Sequence, residues 1–189
     1  MNVFVLCTGR SGSVTFSKAC GHLTNYSAGH ETRSGRLGEE RFGYPQGHIE
    51  VDNRLAWHLG ALGARWDGRE VLYVHLLRDR DAVARSFMNR WDGAYRASII
   101  RAFAHGILTR TQDWPEDRHI DVANHYVDTV TSNIQDFLRG RPHMTINVET
   151  IESDFPRFLD RIGAEGDLNG AMAEWAVRHN PSVAPPDSA

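Results

Sequence analysis

The sequence predicts an α/β three-layer sandwich, with a central parallel sheet between two layers of helices. Three observations carry this. "NVFVLC" (Asn2 to Cys7) and "EVLYVHLLRD" (Glu70 to Asp79) are short, nearly continuous apolar runs, as expected of strands buried on both faces, and "HMTINVE" (His143 to Glu149) reads as a third core strand. Between them, apolar residues recur at helical spacing. Strands alternating with helices imply parallel pairing through right-handed crossovers.

The elements follow in order. After the first strand, Phe16, Ala19, Cys20 and Leu23 fall on one helical face, so the unit is strand, tight loop, helix. "LTNYSA" (Leu23 to Ala28) supplies a second strand. Residues 29–48 are rich in Gly, Arg and Glu without periodicity and read as a long functional loop. "HIEVDNR" (His48 to Arg54) is polar, lining the cleft or capping a helix over Asn53 to Leu62 through Asp52 or Asn53. After the second core strand, Ala84, Phe87, Met88 and Trp91 form a helical stripe. Helices are then expected at 96–109 and at 119–139, the latter with Ala123, Tyr126, Val127, Val130, Ile134, Phe137 and Leu138 inward. A short helix over Asp154 to Gly163 ends on a glycine C-cap. A last one covers 167–178. Trp57, Trp66 and Trp91 are expected in the core.

The 189 residues suffice for one domain, assigned to 1–180, with 181–189 as a frayed tail. A net charge of −3 argues against a general nucleic-acid surface. No signal peptide and no run of about 18 apolar residues is visible, so neither a transmembrane segment nor export is expected. Only Cys7 and Cys20 are present, which fits a reducing, cytoplasmic setting without disulfides. The ten histidines form no metal-ligand spacing, so no metal site is expected.

In parallel α/β sheets ligands bind outside the carboxyl ends of the strands. There the sequence places "TGRSGS" (Thr8 to Ser13), leading into a helix N-terminus. Gly9 and Gly12 permit tight turns and close approach, Ser11, Ser13 and Thr15 offer hydroxyls, and Arg10 supplies a fixed guanidinium fork. This is an anion cradle. A triphosphate P-loop would need Gly-Lys-Ser/Thr after four residues; here Val14 and Thr15 stand at that spacing, with no lysine. A low-molecular-weight tyrosine phosphatase loop would begin at Cys7, but its arginine would fall at position 13, which is Ser.

The segment "RSGSVTF" resembles the 5′-phosphosulfate loop of the P-loop sulfotransferases, which use 3′-phosphoadenosine 5′-phosphosulfate (PAPS). Val14 departs from it where many members carry a second Thr. "HLLRDRDAVARSFMNRW" resembles the family's 3′-phosphate motif, with Arg78 at the strand end and Ser86 in the helix. "INVETIESDFPRFLDRIG" is similar to its late strand, acidic turn and short helix, and "VRHN" (Val177 to Asn180) to its last cofactor-binding segment. The resemblance implies a P-loop nucleoside triphosphate hydrolase-like fold of the sulfotransferase type. It also implies PAPS binding by Gly9, Arg10, Ser11, Gly12, Ser13, Val14, Thr15, Arg78 and Ser86, release of adenosine 3′,5′-bisphosphate (PAP), and no required metal. The acceptor would be a hydroxyl of a sugar, lipid or other small molecule. Arg10 would stabilise the leaving oxygen. Glu31, at the place where glycan-type members carry their catalytic Glu, would be the base, with His30 second and His48 third. The plainer reading of Glu31 is a solvated carboxylate beside Arg33; that of Arg78 is an ion pair with Asp79 or Asp81. The chain is short for the family, implying an open acceptor pocket or one completed by a second subunit of a homodimer. A non-catalytic nucleotide-binding module is the alternative, and a phosphatase or nucleotide kinase-like enzyme a more distant one.

Overall fold

The computed structural model describes residues 1–91, 98–109, 112–177 and 179. Five parallel strands form one sheet in the order β2-β3-β1-β4-β5: β1 (Asn2–Leu6), β2 (Ser27–His30), β3 (His48–Val51), β4 (Val71–Leu77) and β5 (His143–Asn147). Alternate residues of β1 point to opposite faces and build two cores. Phe4 and Leu6 pack with Tyr73 of β4 against α2 (Leu59–Trp66), α3 (Arg80–Met88) and α5 (His119–Leu138). Val3 and Val5 pack with Val74 and Leu76 against α1 (Ser13–Cys20), α6 (Ile151–Ile162) and α7 (Leu168–Ala173). The predicted layers, helices on both faces of a parallel sheet, are those observed. Among the described residues no helix is long and apolar enough to cross a membrane.

Several boundaries differ from the sequence reading. The second strand is Ser27–His30, later than Leu23 to Ala28; Leu23 instead turns off α1 and makes one antiparallel bridge to Gly166. β3 falls where a polar cleft segment was expected. Ile49 and Val51 face one core, while Glu50 and Asp52 are wholly buried on the other side. Their charges are met from the preceding chain. Glu50 accepts from the Thr32 backbone N–H (2.7 Å), the Thr32 hydroxyl (2.6 Å) and His48 Nε2 (2.9 Å). Asp52 pairs with the buried Arg41 at 2.5 Å. The segment 31–47 is therefore pinned to the sheet, with a 3₁₀ turn at Gly38–Phe42. Thr32 folds back so closely that a Cβ at Gly29 would lie 2.2 Å from its methyl, so only glycine fits there.

Asp52 does cap the next segment, accepting from Arg54 N–H, but that segment opens as a 3₁₀ turn (Asn53–Trp57) before α2. The helix expected at 96–109 is α4 (Ile99–Ala102) running into a π turn, Phe103–Ile107; positions 96 and 97 lie outside the described residues. The inward stripe of α5 is buried throughout as expected. α6 starts earlier than expected and ends on Gly163 in the left-handed region. The expected last helix is α7 followed by a 3₁₀ turn, Glu174–Ala176. Arg178, Asn180 and the tail 181–189 lie outside the described residues. Trp66 and Trp91 are core residues, and Trp57 is half-buried against Phe103 and Tyr126.

His75 on β4 is 2% exposed, its Nε2 without a hydrogen-bond partner among the described residues. Burial, helped by nearby His143, lowers its pKa to about 4. The unfolded chain takes up this proton near the ordinary histidine pKa of about 6.5, so stability is full above that pH and falls as pH drops toward about 4. We expect the wild-type protein to lose about 3 kcal/mol through this group over that window. His75→Met should flatten that part of the profile in urea titrations at pH 7 and pH 4.5; an unchanged profile would refute the assignment.

Candidate functional site

The parallel register brings the strand ends to one rim. His30 is level with Val51, Val51 with Val5, and Leu6 with His75. The chain leaves β1 toward β2 on one side, and later leaves β4 toward β5 on the other. β1 and β4 are neighbours, so a crevice opens between their ends, the position where open α/β sheets bind ligands.

The loop after β1 is built for close approach. Gly9 (φ 81°), Arg10 (φ 58°) and Gly12 (φ 83°) all have left-handed backbone. A Cβ at Gly9 would meet Asn53 Nδ2 at 2.9 Å; one at Gly12 would meet Trp175 and Val148 at 3.4 Å. The loop is thus clamped between the end of β3 and the C-terminal 3₁₀ turn. Gly12 is the N-cap of α1 and no side chain caps that end. Ser11 is 1% exposed, and its hydroxyl has no hydrogen-bond partner among the described residues. Ser13, Val14 and Thr15 form the first turn of α1. Ser13 Oγ lies 3.0 Å from His30 Nε2, which ties the end of β2 to the helix start.

Arginines gather around this loop. Arg10 Nε donates to Ser86 Oγ on α3 at 2.9 Å. Arg78 Nη1 donates to the Arg10 carbonyl at 3.0 Å, so Arg78 braces the loop rather than pairing with Asp79 or Asp81. Asp79 instead caps α3 through the Ala82 N–H, and Asp81 meets Arg80. Loss of solvent, then the charges of Arg90 and Arg78, bring the Arg10 guanidinium down to about 10. A cation destabilised by like charges is a site that favours an anion. Arg90 and Trp175 were not singled out in the sequence, and Asn53 was read there as a cleft-lining or capping residue. Arg90 stands four residues beyond Ser86, a spacing that puts both on one side of a helical stretch. Trp175 has no local signal.

The end of β2 carries the remaining groups. Glu31 has φ 52°, and its carboxylate pairs with Arg54, not with Arg33. Among described residues other than glycine, only Arg10, Glu31 and Thr109 have positive φ, so two of the three strained positions sit at this rim. His48 does not reach it. It opens β3 at the opposite end from the rim, where Nδ1 meets Ser27 and Nε2 meets Glu50, and its ring stacks on Tyr44. Cys7 is fully buried, and desolvation pushes its thiol up to about 11. At neutral pH it is a packed thiol and not a nucleophile. Comparison of the chain with protein-family models, curated proteins and solved structures finds no match.

Proposed function

We propose that the protein is a PAPS-dependent sulfotransferase of the P-loop nucleoside triphosphate hydrolase-like class, acting on a hydroxyl of a sugar, lipid or other small molecule. The observation that carries this is the bond between Arg10 and Ser86, 76 positions apart, which joins two anion motifs into one crevice. The unpartnered Ser11 hydroxyl, the uncapped α1 N-terminus and the guanidinium group of Arg10, Arg78 and Arg90 suit a ligand with phosphate at both ends of a ribose.

PAPS would bring the sulfuryl group and depart as PAP. Ser11, Gly12, Ser13, Val14 and Thr15 would hold the 5′ end on the helix N-terminus, with Gly9 letting the backbone turn beneath it. Arg78 and Ser86 would hold the 3′-phosphate. Arg10 would meet the charge on the 5′-phosphate oxygen as its bond to sulfur breaks. Glu31, with His30 as the second candidate, would accept the acceptor hydroxyl's proton as that oxygen bonds to sulfur. Arg54 holds Glu31 in place.

The test is calorimetric titration with PAP and with ATP. PAP is expected to bind more tightly, and Arg78→Ala to weaken it about 10- to 100-fold, the worth of a charge-assisted hydrogen bond or two. Tighter ATP binding, or PAP affinity untouched by Arg78→Ala, would sink the assignment. Transfer of labelled sulfate from PAPS to an acceptor pool separates an enzyme from a binding module.

A further inference from the structure

The segment 31–47 runs back from the rim to the start of β3, and a cavity of about 250 Å³ opens along it. Its walls are Thr32, Arg33, Arg36, Tyr44, Pro45 and His48. None of these belongs to the anion loop, α1 or α3, and His48 stands at the end of β3 far from the rim, so the cavity is separate from the crevice. Its volume lies just below the range of drug-sized sites and suits a smaller molecule.

Most polar groups of the wall are already committed. His48 Nδ1 meets Ser27 at 2.8 Å and Nε2 meets Glu50 at 2.9 Å. The Thr32 N–H and hydroxyl both go to Glu50, which leaves that carboxylate satisfied and wholly buried behind the wall. The Tyr44 hydroxyl accepts from Arg41 at 2.9 Å. Two guanidinium groups remain. Arg33 lies over the Tyr44 ring, 5.4 Å from its centre, and Nη1 donates to the Glu40 carbonyl at 3.0 Å. Among the described residues no carboxylate pairs with Arg33. Arg36 faces the Glu40 carboxylate at 3.6 Å, with the two side chains 63% and 72% exposed. So open a pair contributes little and exchanges readily for a better-placed anion.

The geometry points to a second anion site here, for a small organic acid or phosphate ester. Its oxyanion would lie between Arg33 and Arg36 and its body against Tyr44 and Pro45. Two guanidinium forks suit carboxylate and phosphate oxygens alike. The Glu40 side chain is then the internal competitor for that place. This site stands whether or not the crevice binds PAPS. It makes the segment pinned by Glu50 and Asp52 one wall of a ligand pocket.

NMR titration with inorganic phosphate and with acetate, at constant ionic strength, tests it. Saturable shifts are expected at the backbone amides of Thr32, Arg33 and Arg36. The ion that binds more tightly names the ligand's charged group. Arg36→Ala, at an exposed side chain where folding is not at stake, should weaken binding about tenfold, the worth of one charge-assisted hydrogen bond. Arg33→Ala should weaken it at least as much. Glu40→Gln removes the competitor and should strengthen binding, by up to about fivefold for an exposed pair. Arg78→Ala should alter only phosphate shifts around Ser11 and Gly12, which reads the crevice apart from this pocket. Shifts that do not saturate, or that Arg36→Ala and Glu40→Gln leave unchanged, would overturn the site, whatever the crevice binds.

Discussion

Arg10→Gly is expected to abolish sulfuryl transfer while leaving the fold about as stable as the wild type. Under the proposed function Arg10 faces charge that develops only as the bond to sulfur breaks, and removal of one such donor costs about 10²- to 10³-fold in turnover. The stability side balances differently. Arg10 stands at φ 58°, and a residue with a Cβ in that region carries about 1–2 kcal/mol of strain that glycine does not. Against this, glycine costs about 0.5–1 kcal/mol in unfolded-state entropy, and the bond to Ser86, about 1 kcal/mol, is lost. Relief of repulsion among Arg10, Arg78 and Arg90 adds to the favourable side. These effects largely offset one another, with the further contacts of Arg10 on the unfavourable side. Urea unfolding of both proteins, beside single-turnover transfer from PAPS, reads the two effects. Retained turnover, or a loss of stability of several kcal/mol, would show Arg10 to be a structural brace instead. Such a separation of stability from activity marks a residue kept for its chemistry.

The parts of this molecule legible in its sequence are those decided locally. β1 and β4 are continuous apolar runs because both their faces are buried, and α5 shows its inward stripe because its other side meets water. β3 was hidden. Its pattern, His48-Ile49-Glu50-Val51-Asp52, reads as half-exposed, yet Glu50 and Asp52 are 0% exposed. They are buried because Thr32 and Arg41 arrive from the long loop to satisfy them, and nothing near residue 50 announces those partners. The site divides in the same way. Arg10, Ser11, Arg78 and Ser86 sit in contiguous motifs, and the structure brings them together. Asn53 and Trp175 flank the loop only because the sheet order and the C-terminal turn bring them there. His48 misled because its place in sequence, close to Asp52, hides that β3 carries it to the far end of the sheet.

The buried pair behind that hidden strand carries the largest expected effect on stability. Asp52→Ala removes the only carboxylate bonded to Arg41 among the described residues and leaves a guanidinium that is 4% exposed, with the Tyr44 hydroxyl as its other bonded side chain. Breaking a buried pair from one side costs about 3–5 kcal/mol, because the surviving charge stays desolvated. Loss of the cap on Arg54 N–H adds about 1 kcal/mol. Typical domains have about 5–15 kcal/mol in all, so the variant should be close to unfolding at ordinary temperature. Asp52→Asn keeps an acceptor for the cap and should lose less. Arg41→Met combined with Asp52→Asn removes the stranded charge and should regain much of what Asp52→Ala loses, because the pair's attraction is largely offset by its desolvation. Function follows the cap in this series. Arg41 belongs to the segment that follows Glu31, and Arg54, which holds Glu31, stands two residues beyond Asp52 and is capped by it. The doubly substituted protein keeps Arg54 and an acceptor for its cap, so under the proposed function it should fold, bind PAP and transfer sulfate, whereas Asp52→Ala, which loses that cap, should transfer poorly. Unfolding midpoints, PAP titration and turnover measured on the three variants distinguish the cases. A midpoint for Asp52→Ala near the wild type would mean that the pair contributes nothing, and lost turnover in a folded double variant would mean that Arg41 and Asp52 themselves serve the reaction.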